Sequence, residues 1–119
     1  MSEPGPDRIA YTLARQFERL ALRIVTRIRA THWRHAIELG EHTSQMLRCF
    51  RRSNNCVGTE RGQHESIQAA VWMVEALIIL TELHNSDVER ALVTAAMEVL
   101  ERVESELRVE GSLPPALDP

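Results

Sequence analysis

No proline occurs between Pro6 and Pro114, and this absence limits the possible folds more than any other feature of the chain. Proline removes a helical hydrogen bond and clashes with the preceding turn. Without it, helices can run wherever the apolar spacing supports them. From about Arg8 to about Ala30, Ile9, Leu13, Phe17, Leu20, Ile24 and Ile28 recur at spacings of four and three, the stripe of an amphipathic helix. Asp7 is a plausible N-cap. The pattern weakens around Thr31–His35 and resumes as Ile37, Thr43, Met46, Leu47 and Phe50. That predicts a second helix with Thr31 as its cap; no Gly or Pro forces the break, so the alternative is one continuous rod. Ser53 to Gly62 reads as a loop, being rich in Asn, Gly, Ser and Thr.

A third helix is expected from about Gln63 to His84. Ile67, Ala70, Val71, Val74, Leu77, Ile78 and Thr81 are assigned inward, and the apolar surface extends round through Trp72, Met73, Ile79 and Leu80. A helix apolar on two faces needs two partners. Asn85-Ser86-Asp87 reads as a turn, with Ser86 and Glu89 as a capping box. Val88, Leu92, Ala95, Val99, Val103 and Leu107 mark a fourth helix stopping near Gly111. The expected architecture is all-α, an up-down-up-down four-helix bundle over residues 7–110. Residues 1–6 are expected to be a flexible lead-in and 111–119 a disordered tail.

With 119 residues, 44% hydrophobic and 26% charged, the chain has room for one domain with one core. The longest apolar stretch, near Ala69–Leu80, is interrupted by Glu75 and falls short of the roughly 20 residues a membrane span needs. The opening MSEPGPDR has neither the basic nor the apolar region of a secretory signal. Cys49 and Cys56 are the only cysteines and read as reduced thiols. A cytoplasmic protein without membrane contact is expected.

Charge is distributed unevenly. All 14 basic residues are arginine. Residues 1–62 carry 11 Arg against 6 acids, a balance of +5, whereas residues 63–119 carry 3 Arg against 11 acids, a balance of −8. Arg15, Arg19, Arg23 and Arg27 recur every fourth residue, with Arg8 behind them. At 100° per residue they span about 120° beside the apolar stripe. Like charges four apart repel within a helix, so an anion should compensate them. Nucleic-acid phosphates are one candidate, and carboxylates such as Glu98, Glu101 and Glu104 are the other. Arg48, Arg51 and Arg52 add a second basic cluster.

Three further constellations are weaker. His32, His35, Glu38 and His42 share a helical face, but His35 and His42 lie about 10 Å apart, too far to hold one ion. Arg27 and His32 have the Arg-x4-His spacing of small helical RNA-cleaving domains of the HEPN type. Cys49 with one of these histidines offers a nucleophile and base, but no third group or oxyanion donor is identifiable. Neither a cofactor nor a metal is expected.

Arg34, Leu39-Gly40, Ser44-Gln45, Arg48 and Glu82-Leu83, with a polar loop before an apolar third helix, form a layout that resembles a family of small four-helix bundles. These are the proteins encoded by intervening sequences in large ribosomal RNA genes and the accessory variability proteins of diversity-generating retroelements. Thr31-His32-Trp33 stands where the family commonly has a proline, and Asn55–Glu60 is a degenerate form of its Asn-Ile-Ala-Glu-Gly loop. The resemblance implies a homopentamer whose basic surface engages RNA or DNA and a reverse transcriptase, without catalysis of its own. The expected interface is Arg15, Arg19, Arg23, Arg27, Arg48, Arg51 and Arg52. The alternatives are a self-assembly or protein-binding module and a HEPN-like ribonuclease.

Overall fold

The computed structural model describes residues 8–56 and 58–113. Four helices follow one another: α1 (Ile9–Ile28), α2 (Trp33–Asn54), α3 (Glu60–Asn85) and α4 (Arg90–Val109). Each packs against its chain neighbours, and α1 also packs against α4. The four therefore form a closed square with α1 diagonal to α3. Short turns make neighbouring helices antiparallel, as an all-α bundle of this connectivity requires.

The break after α1 is made without glycine or proline. His32 and Thr31 both donate backbone N–H bonds to the Ile28 carbonyl, at 2.7 and 3.1 Å. His32 rather than Thr31 then occupies the N-cap of α2, and Thr31 Oγ1 lies 2.9 Å from His32 Nδ1. α2 continues through the residues expected to open the loop, and α3 begins earlier than expected. Thr59 caps α3 by accepting from the Gly62 N–H at 3.0 Å. Gly62 packs so closely on Cys56 that a Cβ there would overlap its carbonyl.

The α3–α4 turn also differs from expectation. Asp87 adopts a left-handed conformation (φ 59°), and the Val88 N–H reaches back to the Leu83 carbonyl at 2.9 Å, the closure that ends many helices. Ser86 thus terminates α3 rather than opening α4. Glu89, itself left-handed (φ 45°), is the N-cap of α4 and makes no side-chain cap bond, so the Ser86–Glu89 capping box does not form. Gly111 closes α4 in the same way, with the Ser112 N–H on the Leu107 carbonyl at 2.8 Å. Leu113 is buried, so residues 111–113, expected in a disordered tail, fold against the bundle. Asp7, expected as the first cap, and residues 1–6 and 114–119 lie outside the described residues.

Phe17, Ile24 and Ile28 of α1, Leu39, Met46, Leu47 and Phe50 of α2, and Val103 and Leu107 of α4 are all essentially inaccessible to solvent. On α3 the inward side is Ala69, Met73, Ala76, Ile79, Leu80 and Leu83. Ile67, Val71, Val74 and Ile78, expected inward, are instead 40–56% exposed. Apolar residues almost encircle α3, so periodicity alone could not choose its core face. The small Ala69 and Ala76 settle it by letting the backbone approach its neighbours.

Candidate nucleic-acid interface

Arg8 is set apart from the other arginines. Its side chain is 8% exposed and ion-pairs with Glu110. It also donates to Ser53 Oγ at 2.7 Å, Asn54 Oδ1 at 3.0 Å and Ser112 Oγ at 2.9 Å, with Ser66 Oγ at 3.3 Å. Its guanidinium lies over the Phe50 ring, 5.8 Å from the centroid. One cation thus joins the ends of all four helices. It is a structural group, engaged by side chains at these helix ends, on the wall of a small polar pocket.

The arginine ladder of α1 points outward, and its members differ in their partners. Arg15 pairs with Glu18 on its own helix at 3.1 Å, an exposed contact that water and salt screen. Arg27 reaches across to Glu89 at 3.3 Å. Arg19 and Arg23 are exposed, and no acid among the described residues pairs with either. Glu98, Glu101 and Glu104, weighed above as compensating acids, do not reach the ladder. Glu104 pairs with Arg108 on its own helix.

The second basic cluster lies on the last turns of α2. Arg52 is 3.9 Å from the largely buried Glu65, whereas Arg48 has no acidic partner among the described residues. Arg51 meets the ladder through Tyr11. The Arg15 guanidinium lies over the Tyr11 ring, 6.0 Å from the centroid, with Nη1 3.5 Å from its hydroxyl, and Arg51 lies near enough to act on the same hydroxyl. Burial tends to raise the Tyr11 pKa, but the hydrogen bonds and charges of Arg15 and Arg51 outweigh it, and the net shift is downward. Arg15 is correspondingly held more firmly protonated by Tyr11 and then Glu18. The two clusters, separate in sequence, therefore join into one basic face across the α1–α2 seam. Tyr11 forms the joint, and its place one turn before Arg15 is the only sign of it in the sequence.

The remaining candidates disperse. His35 Nε2 contacts Glu82 at 3.0 Å, His32 and His35 meet edge to face, and the His42 ring lies 5.6 Å from Trp72. Among the described residues no three His, Cys, Asp or Glu side chains gather closely enough to hold a metal ion. Cys49 and Cys56 are free thiols. Burial, then the Glu65 charge, pushes the Cys49 thiol up, which disfavours the nucleophilic thiolate. Trp33 is exposed, with Arg34 stacked 5.4 Å from its ring centroid.

In comparisons with known proteins, no family model, no curated protein and no solved structure matches this chain.

Proposed function

We propose that this protein is a non-enzymatic helical adaptor that binds RNA or DNA, or an enzyme engaged with it such as a reverse transcriptase, through the arginine face shared by α1 and the end of α2. The observation that supports this most is the exposure of Arg19, Arg23 and Arg48, none with an acidic partner among the described residues, on a face where Arg15 and Arg51 converge on Tyr11. Guanidinium groups crowded along one helix repel one another, and an external polyanion relieves that repulsion. Arginine forks suit phosphate oxygens, so the contacts position a backbone and carry little sequence preference. Engagement of Arg27 by Glu89 and of His32 by Thr31 weakens the ribonuclease alternative, which needs both side chains at a scissile phosphate.

Fluorescence anisotropy with mixed-sequence RNA and DNA oligonucleotides at low salt tests the reading. Arg19→Glu and Arg23→Glu should each weaken binding to all sequences alike. Each should also flatten the salt dependence by about one unit in the log–log slope. Unaltered affinity in the Arg19→Glu, Arg23→Glu double variant would overturn the proposal. Binding to an acidic protein surface, with none to oligonucleotides, would replace it with a protein-directed role.

A further inference from the structure

Of the four neighbouring helix pairs, α3 and α4 pack least closely. Between them opens a groove of about 460 Å3, walled by Ile67, Ala70, Val74 and Leu77 of α3 and by Met97 and Leu100 of α4. Its α3 wall continues onto an exposed stripe. Ile67, Val71, Val74, Ile78 and Thr81 alternate at spacings of four and three, the repeat that seats one helix against another. This stripe is a second helix-packing face, outside the one buried in the core. At 1.5 Å per residue it extends for about 21 Å, or four turns.

The groove is acidic on balance: Glu101 and Glu104 line it, and the arginine among its lining residues, Arg108, is held by Glu104. Glu75 and Glu82 lie on the exposed side of α3, and Glu98 and Glu101 on that of α4. Of these, only Glu82 has an ion-pair partner among the described residues, namely His35. We infer that this groove docks one amphipathic helix of a partner protein, about four turns long, with aliphatic side chains at alternating three- and four-residue spacing and Lys or Arg along its edges. A second copy of this chain is a poorer match at either face. Pairing α3 with α3 brings acidic flank against acidic flank, with no arginine on α3 beyond Arg61. The arginine face of α1 supplies the charge but only one large exposed aliphatic side chain among its arginines, Leu22. By length and composition α3 could also cross a membrane. Its Met73, Leu80 and Leu83, however, are already buried in the bundle, and the acidic flanks would be repelled by anionic headgroups.

The test uses the full chain and a labelled, designed peptide of about 18 residues, helical, with Leu along one stripe and Lys elsewhere. A second peptide carries Glu in place of Lys. Saturable binding of the Lys peptide, about tenfold tighter than the Glu peptide, is expected. Val74→Gln with Ile78→Gln should weaken it by about tenfold or more, and Glu101→Lys should narrow the preference between peptides several-fold. All three sites are exposed, and an unchanged thermal melt would show the fold intact. Equal binding of the two peptides, or binding indifferent to the double variant, would overturn the inference. So would self-association of the peptide-free protein that the double variant abolishes, which would make a second copy the occupant. Co-sedimentation with phosphatidylcholine vesicles, lost in the same variant, would point to lipid instead. The groove does not depend on the arginine face. Arg19→Glu should leave peptide binding intact, and the groove variant should leave oligonucleotide binding intact, so the two readings fail separately.

Discussion

α1 and α3 sit diagonally across the bundle and present opposite exteriors. The outer surface of α1 is cationic, with Leu22 the one large exposed aliphatic side chain within its arginine ladder. The outer surface of α3 is an aliphatic stripe with acidic borders. Both helices meet the same structural demand, a strip of apolar side chains facing the core. α1 stops there, and its remaining circumference is mostly polar. α3 carries a second apolar strip that the described residues leave exposed. The contrast shows that burying a core and offering a surface are separate demands on a helix, and that an apolar residue in a pattern can answer either one.

The sharpest way to break this contrast is on α3 itself, where adjacent residues have opposite environments. Met73→Ala, at a buried site, should cost about 2–5 kcal/mol in denaturant melts. Val74→Ala, one residue on and 56% exposed, should change stability by less than about 0.5 kcal/mol. Similar losses at both positions would mean the outer stripe is buried in solution.

Within the arginines the same logic predicts a smaller effect. Arg8→Met removes the buried cation and its bonds to Glu110 and three serine hydroxyls, which retain the Ser112–Glu110 bond and the Ser53–Ser66 contact. A loss of about 2–3 kcal/mol is expected, less than for a fully buried pair because Glu110 retains contact with water. Arg19→Met, on the exposed ladder, should be nearly neutral in the same urea titration.

Tyr11, the only tyrosine, reports on the basic face through tyrosinate absorbance. Its phenol should ionise below the ordinary value near 10. Arg51→Gln should move the transition upward, as should a saturating oligonucleotide, because phosphate neutralises the guanidiniums. The linkage sign follows. A phenol that gives up its proton more readily folded than unfolded stabilises the fold as pH rises toward the unfolded value. An upward displacement of the free protein's transition would remove Tyr11 from the interface.

The smallest effect concerns Glu89. Asparagine tolerates the left-handed conformation better than glutamate, so Glu89→Asn should gain up to about 1 kcal/mol from backbone relief. That gain is offset by a few tenths of a kcal/mol, about the worth of its exposed pair with Arg27. The same change frees Arg27 and should tighten oligonucleotide binding slightly.

The four helices and the Gly111 stop were legible because hydrophobic spacing and glycine punctuation act locally. Most of the α1 core face was legible too, since Leu13, Phe17, Ile24 and Ile28 stand against polar neighbours, although Ile9, expected to open the stripe, is exposed at the helix start. On α3 apolar residues occupy almost every direction, so spacing could not rank the faces. The missed turn at Ser86–Glu89 shows two local signals in competition: the helix-ending closure around Asp87 prevailed over a possible capping box. The Arg8 network was invisible for a different reason. Its partners at Ser53, Ser66 and Glu110 lie 45 to 102 residues away and carry no pattern of their own. In the basic face, the arginines themselves were legible. Which of them already had a carboxylate partner was not.

Because a single guanidinium is shared by the ends of all four helices, none can peel away alone without stranding that charge in a half-dry niche. The molecule should therefore keep or lose its structure in one step at that end. Slow-exchanging amides should cluster there and thin out toward the two turns at the far end. A ligand that tightens either flank would then be felt on the other as added resistance to opening, with no change of shape in between.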